Sequence, residues 1–236
     1  MDHISPKKYN TMILSGGAMK GIAMIGGIQY LHDNHMLDIN IYISCSVGSI
    51  ISYLLALGYQ PSEILSQCIS EKIIQKFNKI NIAKLTKGLG CLDWKNIEDF
   101  LYNMTFEKCD EPLTFEDLYT KFNKKLVCST YNLNTNKIEY LSLETTPKLL
   151  CISAIRMSCN VPFLFNRYKY KGSYYIDPGM VDNFPIEYNL NTLVEDPVII
   201  GINSLQLNTK SIENDYEISN EIFEDGADDI TEYNIK

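Results

Sequence analysis

The first 58 residues contain two consecutive strand–turn–helix units, and this pattern constrains the fold more than any other feature of the chain. Thr11–Ser15 is a short apolar segment that runs into two glycines, and an amphipathic segment follows from Met19 to about Asn34. Asn40–Ser44 is a second predicted strand, and the apolar segment Val47–Leu57 is a second predicted helix that ends at a glycine. Strands and helices that alternate across tight turns are typical of a parallel sheet, so we expect an α/β fold.

Later segments add further strands and helices to this plan. Residues 60–120 are mostly helical and more polar than the segments before them. Beyond them, the predicted elements are the strands Lys125–Tyr131 and Lys137–Leu143, the helix Lys148–Met157, the strands Tyr168–Tyr170 and Tyr174–Ile176, and the late strand Val198–Ile202. The short turns inside the two strand pairs predict hairpins.

Composition and charge predict one domain with an acidic tail. The chain has 236 residues, of which 45% are apolar and 21% charged, and it can therefore bury one sizeable core. Residues 211–236 carry nine acids and one base, whereas the rest of the chain carries 20 of each. We predict a domain over residues 1–210 and an acidic C-terminal tail over 211–236, which is either solvated or binds a partner. The balanced charge of the domain argues against nucleic-acid binding.

Neither a signal peptide nor a membrane-spanning segment is predicted. The N-terminal residues lack an apolar core, and no run of 18 apolar residues occurs. The seven cysteines show no CxxC spacing, which indicates reduced thiols rather than disulfides or a zinc site. The sequence therefore predicts a protein that is cytoplasmic or peripheral to membranes and that needs neither a metal nor another cofactor.

The segment Ser44–Gly48 has the context of a nucleophile elbow, since Ser46 follows a predicted strand and precedes a predicted helix. A serine on such a turn points its hydroxyl out of the sheet, next to the partial positive charge of the helix N-terminus. The alternative is that Ser46 is an N-cap whose hydroxyl binds a free backbone amide. This segment alone leaves both roles open.

The chain contains no histidine after His35, and this absence limits the possible partners of Ser46. An elbow serine is normally followed along the chain by an acid and then by a histidine. Because that order is impossible here, we expect the proton of a nucleophilic Ser46 to pass to a carboxylate rather than to an imidazole. Asp177 ends a predicted strand before a glycine turn, so it can project into a site made by other strand ends. Its alternative role is to bind the backbone of its own turn.

A second turn, Gly16–Gly21, also joins a predicted strand to a predicted helix. Consecutive backbone amides at such a turn can stabilise an oxyanion. The turn is not a Walker A loop, because Lys20 precedes Gly21 and neither serine nor threonine follows, and the dinucleotide spacing also fails. The alternative is that its glycines serve only the close packing of helix and strand.

Together these segments resemble the patatin-like phospholipase family of lipid acyl hydrolases. The resemblance covers residues 10–205 and implies a three-layer α/β/α fold with a central, mostly parallel sheet. The motifs that carry it are the glycine loop with Gly16, Gly17, Lys20 and Gly21, the elbow Ser44–Gly48, and the segments Pro112–Tyr119, Ala154–Phe163, Asp177–Gly179 and Val181–Pro185. By this resemblance the catalytic residues are Ser46 and Asp177, the oxyanion hole is Gly16, Gly17 and Ala18, and the supporting residues are Lys20, Gly21, Gly48 and Gly179.

Three positions depart from the family pattern. Ser44 replaces the first glycine of the elbow, where backbone and helix approach closely, and we expect modest strain there. Pro178 replaces the glycine after the aspartate, and proline removes an amide and fixes φ at about −65°. Ala18 stands where a third glycine is common, and its amide is retained.

The resemblance implies a serine acyl hydrolase that contacts a membrane transiently and releases fatty acid from phospholipids or related acyl lipids. Two alternatives remain open, an inert acyl-lipid-binding or regulatory protein on the same scaffold and an acyltransferase. Lys20 and Arg156 could each meet a phosphate headgroup. Otherwise Lys20 supports its loop or stays solvated, and Arg156 makes a structural ion pair. Four apolar residues lie upstream of the Asp177 motif, namely Val161, Phe163, Leu164 and Phe165. They either hold acyl chains, enter a bilayer or pack in the core.

Overall fold

A seven-stranded mixed sheet forms the centre of the protein, in a computed structural model that describes residues 8–70, 82–87, 90–188 and 197–204. The strands are β1 Tyr9–Leu14, β2 Leu37–Ser44, β3 Lys125–Asn132, β4 Lys137–Leu141, β5 Tyr168–Tyr170, β6 Ser173–Ile176 and β7 Ile199–Ile202. Their order is β5-β6-β3-β2-β1-β7, and β4 also pairs with β3. The central strands β3, β2, β1 and β7 are parallel, which confirms the predicted α/β class.

Six α-helices flank the sheet in the described residues. They are α1 Gly21–Asp33, α2 Val47–Ala56, α3 Pro61–Ser70, α4 Lys95–Lys108, α5 Phe115–Phe122 and α6 Cys151–Ser158, with 3₁₀ turns at Ala18–Lys20, Ile82–Lys87 and Pro178–Met180. Helix α6 begins three residues later than predicted, because the amide of Cys151 donates to the carbonyl of Leu113 and holds the preceding chain extended. The predicted tail, residues 211–236, lies outside the described residues.

The register of the parallel strands brings two turns together at one edge of the sheet. Leu14 at the end of β1 lies opposite Ser44 at the end of β2, and Ser44 lies opposite Cys128 of β3. The turns after β1 and β2 therefore leave the sheet side by side. These are the two turns that the sequence singled out, Gly16–Gly21 and Ser44–Gly48.

Strand β3 continues past the end of β2, and β6 takes the place of β2 along it. Cys128 pairs with Ser44 of β2 and with Leu141 of β4, so these two strands lie on opposite edges of β3. Further along, Tyr131 pairs with Ile176 of β6, while β4 still occupies its own edge. Strands β2 and β6 therefore share an edge of β3. Because β6 is antiparallel to β3, the carboxyl ends of β2 and β6 point towards each other.

Alternation along the strands divides the apolar side chains between the two faces of the sheet. One face contributes to the larger core with apolar side chains from all six helices; its central members are Met12, Leu14, Tyr42, Leu126 and Cys128. The other face carries Ile13, Ile41, Ile43 and Val127, which among the described residues pack against Tyr140, Phe184 and Tyr188. Both faces of the central strands are covered, which explains their nearly continuous apolar sequences.

Helix α5 starts at a capping box that the sequence analysis did not single out. The amide of Asp117 donates to Thr114 Oγ1 over 3.1 Å, and the amide of Thr114 donates to Asp117 Oδ2 over 3.0 Å. The two bonds satisfy backbone donors that have no partner within the helix. They fix the start of a short helix whose Phe115 and Leu118 are buried in the larger core.

We expect Thr114→Ala to lower the free energy of unfolding by about 1 kcal/mol, since it removes one side of the capping box. Urea denaturation followed by circular dichroism measures this change. Thr120→Ala is the matched control, because Thr120 is exposed on the same helix and we expect a change within about 0.5 kcal/mol. Equal losses in the two variants would contradict the assigned role of the cap.

Candidate active site

Ser46 occupies a strained turn between β2 and α2. Its backbone has φ 52° and ψ −125°, a left-handed conformation that is unfavourable for a residue other than glycine. Ser46 precedes the first residue of α2, but its hydroxyl makes no capping hydrogen bond. Ser46 therefore does not act as the side-chain N-cap that was the alternative role for it. Strain of this kind is concentrated at functional sites, where the surrounding structure holds it in place.

The surrounding structure holds this turn from two sides. The amide of Ser46 donates to Ser158 Oγ of α6 over 2.9 Å, and Ser158 Oγ lies 3.0 Å from Ser49 Oγ of α2. On the other side, a Cβ on Gly48 would lie 2.7 Å from the carbonyl oxygen of Ser15. Only glycine allows α2 to begin this close to the end of β1.

The glycine loop lies directly against Ser46. A Cβ on Gly16 would come within 3.2 Å of Ser46 Cβ and 2.4 Å of Asn183 Oδ1. The amide of Gly16 donates to the carbonyl of Asn183 over 3.0 Å. Gly16 was predicted as an oxyanion donor, but its amide already has this partner. Its position instead ties the loop to the segment that follows Asp177.

The rest of the loop presents backbone amides beside the serine. Ala18 starts a 3₁₀ turn and has a φ of 47°. A positive φ of this kind favours glycine, which is the common residue at this position. No acceptor in the described residues binds the amides of Gly17 and Ala18. Gly21 serves packing, because a Cβ there would lie 2.7 Å from Val47 Cγ2 at the start of α2.

Lys20 supports the loop through Ser204, which follows β7. Its Nζ donates to the carbonyl of Ser204 over 3.4 Å, and the Ser204 hydroxyl donates to the carbonyl of Gly16. The amide of Ser204 donates to Ser15 Oγ over 2.9 Å. Of the two roles considered for Lys20, these contacts favour the structural one. Nothing in the sequence pointed to Ser204.

Asp177 follows β6 and is buried next to Ser46. Burial raises the pKa of its carboxyl group above the ordinary value of 3.8, while hydrogen bonds from the Ser46 side chain and the Gly179 amide lower it and only partly offset the effect of burial. The Gly179 amide donates to Asp177 Oδ1 over 2.8 Å. Asp177 thus binds its own turn, and its carboxyl group lies close enough to the Ser46 side chain for that side chain to lower its pKa.

The departures at Pro178 and Ser44 fit the local structure. Pro178 is the first residue of a 3₁₀ turn, a position where a missing amide is tolerated, and Asp177 has the extended backbone required before proline. The amide that supports the carboxylate comes from Gly179, which the chain retains. Ser44 is fully buried, and its hydroxyl donates to the carbonyl of Val127 over 3.3 Å.

A buried arginine supports the backbone of Asp177 from behind. Arg156 Nη1 donates to Asn160 Oδ1 over 2.7 Å, and the carbonyl of Asn160 accepts the Asp177 amide over 3.0 Å. Asn160 Nδ2 also donates to the carbonyl of Tyr175 in β6 over 2.6 Å. Arg156 therefore positions Asp177 through a neutral side chain. It does not form the ion pair that was considered for it, since its partners in the described residues are uncharged.

Aromatic rings compensate for the missing counter-ion of Arg156. The guanidinium carbon lies 4.8 Å from the ring centroid of Trp94, 5.3 Å from Phe165 and 5.4 Å from Tyr168. Rings in this position attract a cation. Burial lowers the pKa of Arg156 to about 10, which leaves it charged at neutral pH.

The apolar segment that follows α6 divides between core and surface. Phe165 is buried, and Val161 and Leu164 are partly buried against the larger core, whereas Phe163 is 80% exposed. A groove of about 520 Å³ runs beside this segment. Asn160 and Ile176 line it. Asn160 accepts a hydrogen bond from the Asp177 amide, and Ile176 precedes Asp177 in the chain. The groove therefore lies beside the segment that carries Asp177.

Two further properties concern the described residues alone. They contain no group of three or more histidine, cysteine, aspartate or glutamate side chains with the arrangement of a metal site. They also contain no helix that is both long and apolar enough to cross a bilayer.

Comparisons with known proteins agree with this geometry. The model of the patatin-like phospholipase family matches residues 12–190. A probable lipid hydrolase of Invertebrate iridescent virus 6 is 33% identical over 190 residues, which are 78% of this chain and 64% of the viral protein. An uncharacterized protein of Acanthamoeba polyphaga mimivirus is 30% identical over 214 residues, 86% of this chain and 69% of its own length.

The fold is also similar to a solved structure. The crystal structure of VipD from Legionella pneumophila superposes with a TM-score of 0.58 and 16% identity, over 90% of this chain and 53% of that chain. At this level of identity the similarity concerns the fold alone. The family match covers most of the chain and includes the elbow, the glycine loop and the aspartate turn. The chain belongs to the patatin-like phospholipase family.

Proposed function

We propose that the protein is a serine acyl hydrolase that cleaves ester bonds of phospholipids or related acyl lipids with Ser46 and Asp177. One observation supports the proposal: an uncapped serine on a strained turn lies beside a buried carboxyl group whose pKa its side chain lowers. A serine hydroxyl needs an adjacent base to become a nucleophile, and we assign this role to Asp177. The chain offers no histidine after position 35 that could take this role.

In the proposed reaction, Asp177 accepts the hydroxyl proton of Ser46 while Oγ attacks the ester carbonyl carbon. The tetrahedral intermediate collapses and expels the alcohol, which takes that proton from Asp177. Water then attacks the acyl-enzyme and gives a proton to Asp177. Transfer of this proton to Ser46 Oγ accompanies release of the fatty acid and regenerates both groups.

We assign the oxyanion site to the amides of Gly17, Ala18 and Val47. Val47 is the first residue of α2, so its amide has no partner within the helix, and the positive end of the helix dipole adds to it. Losing one such donor typically raises the barrier by about 3 kcal/mol. Gly16 is left out of this assignment because its amide is engaged by Asn183.

Acyl lipids are the proposed substrate class. The family and the name of the viral relative both point to lipid hydrolysis. The groove beside Asp177 is lined mainly by apolar and aromatic side chains, which suit an acyl chain. The cytoplasmic location remains a prediction, and the absence of disulfides among the seven cysteines fits a reducing compartment.

The two alternatives lead to different products. The inert alternative was motivated by Ser44 and Pro178, and the local structure accommodates both residues without displacing Ser46 or Asp177. An acyltransferase would pass the acyl group from Ser46 to an acceptor other than water. Free fatty acid indicates hydrolysis, and an acylated lysolipid or alcohol indicates transfer.

Ser46→Ala should abolish both labelling by a fluorophosphonate probe and the release of fatty acid from phosphatidylcholine micelles, because it removes the nucleophile. Asp177→Asn should lower both by a factor of about 10² or more, since it removes the base while Asn keeps an acceptor for the Gly179 amide. Peptide mass spectrometry locates the adduct, and lipid mass spectrometry identifies the product.

The controls are Ser62→Ala and Asp38→Asn, which change exposed residues of the same types. Both should behave like the wild type. A folded protein without an adduct on Ser46 would support the inert alternative, and an adduct that persists unchanged in Asp177→Asn would exclude Asp177 as the base.

The acid side of the pH profile should reflect the raised pKa of Asp177. The base acts in its ionised form, so activity is present above the folded-state pKa and is lost as the pH falls through it. Burial places this pKa above the ordinary value of 3.8, and kcat/KM on a soluble short-chain ester should therefore fall at a pH higher than that. Circular dichroism at each pH separates this loss from unfolding. An inflection at or below 3.8 would contradict the assignment.

A further inference from the structure

One segment beside the candidate site has a charge unlike that of the whole chain. Residues 161–176 contain six aromatic residues, three bases and no acid, although the chain carries a net charge of −8. The bases are Arg167, Lys169 and Lys171. The segment runs from the end of α6 through the β5–β6 hairpin, and Asp177 follows directly.

Phe163 presents its ring to solvent at the start of this segment. Its side chain is 80% exposed, and its backbone has φ 66°, which is unfavourable for an aromatic residue. The carbonyl of Phe163 accepts the Cys91 amide over 3.1 Å, and the carbonyl of Leu164 accepts the Leu92 amide over 2.8 Å. These bonds hold the backbone, so the ring is kept out of the core by a fixed structure.

The hairpin places bases next to tyrosine rings, of which Tyr174 is exposed. Lys169 lies opposite Tyr174 across the hairpin, and its Nζ is 5.4 Å from the centroid of that ring. Lys171 Nζ is 5.3 Å from the ring of Tyr170, and Arg167 is exposed. In the parts of the chain that the structure describes, none of the three bases forms an ion pair. Strand β5 is the last strand on its side of the sheet, so this surface faces outwards.

We define the basic aromatic rim as Phe163, Arg167, Lys169, Lys171 and Tyr174. Phe163, Arg167 and Tyr174 also line the groove of about 520 Å³, which no carboxylate lines in the described residues. Ile176 also lines the groove, and Asp177 is the next residue in the chain. The rim therefore adjoins a groove that lies beside the segment carrying the candidate catalytic carboxylate.

We propose that the basic aromatic rim docks the protein onto an anionic lipid bilayer, with Phe163 inserted among the acyl chains and the three bases at the headgroups. This inference rests on the proposed function and extends it, because the surface would deliver a lipid from the bilayer to Ser46. Tyrosine and basic side chains are favourable at a membrane interface, where the ring has an apolar body and the cation meets anionic lipid.

The positive charge of the rim favours binding to an anionic bilayer over binding to a neutral one. A basic residue near an anionic leaflet strengthens binding by about a factor of five, so the three bases together account for about two orders of magnitude. Residues 1–210 carry 20 bases and 20 acids, so without the three bases of the rim the rest of this domain has a net charge of −3 and is weakly repelled by the same surface. Attraction at the rim and repulsion elsewhere turn the rim and the groove beside it towards the membrane.

The experiment measures co-sedimentation of the full chain with vesicles, in a Ser46→Ala background so that the lipid is not consumed. We expect binding to vesicles of phosphatidylcholine mixed with phosphatidylglycerol, weaker binding to phosphatidylcholine alone, and weakening by salt. Replacing Lys169 and Lys171 together by glutamine should weaken binding about 20-fold. Phe163→Ala should weaken it about 10-fold through lost apolar burial.

The matched controls lie away from the rim. Lys8 and Lys108 are exposed bases for a second double glutamine variant, and Tyr30 is 63% exposed on α1 for a Tyr30→Ala variant. Binding by these controls should equal that of the parent. Equal losses in control and rim variants would overturn the proposal, as would unchanged vesicle binding by the rim variants. Tighter binding after the lysine replacements would also overturn it, because that result is expected if the acidic residues 211–236 occupy the rim.

A separate measurement distinguishes failure of the docking surface from failure of the proposed function. With Ser46 intact, the double glutamine variant of Lys169 and Lys171, which do not line the groove, should hydrolyse a soluble short-chain ester at the parental rate and lose activity only on anionic vesicles. Equal loss on both substrates would overturn the docking role. An inactive parent that still binds vesicles through the rim would refute hydrolysis and leave the docking surface supported.

Discussion

The close approach of helix α2 to the end of β1 is the constraint on which the site depends. A side chain at Gly48 would lie 2.7 Å from the Ser15 carbonyl oxygen, so α2 can begin there only with glycine. Next to this approach, the turn at Ser46 has a positive φ of 52°, and its hydroxyl makes no capping hydrogen bond. The glycine loop lies against the serine on the same side, since a Cβ on Gly16 would come within 3.2 Å of Ser46 Cβ. A strained residue is stable here because the sheet on one side and Ser158 on the other leave it no room to relax.

The buried cation of Arg156 links three parts of the structure that are distant in the sequence. Its guanidinium lies among the rings of Trp94, Phe165 and Tyr168, and it holds Asn160, which in turn fixes the backbone of Asp177. The aromatic wall of the groove and the position of the candidate base therefore depend on one side chain. A neutral hydrogen-bond partner suits this role, because a carboxylate beside Arg156 would add a second buried charge next to Asp177.

Local patterns predicted the elements well and individual contacts poorly. Glycine turns and apolar runs located most strands and helices, and the capping box at Thr114 and Asp117 is a local signal that could have located α5. The assignment of the Gly16 amide to the oxyanion hole was revised, because this amide donates to the carbonyl of Asn183. Asn183 is 167 residues away in the chain, so no local pattern predicted this bond. The support by Ser204 was missed for the same reason, since no residue near it in the sequence indicates the contact.

The sequence by itself indicated that a nucleophilic Ser46 needs a carboxylate, since the chain contains no histidine after His35. It also determined the α/β class, because alternating strands and helices leave few other ways to bury their apolar faces. Only the tertiary structure decided that the carboxylate is in reach. Strand β6 occupies the edge of β3 beyond β2, so Asp177 arrives opposite the turn at Ser46. Such edge sharing is set by pairing between distant strands, and no local pattern of residues encodes it.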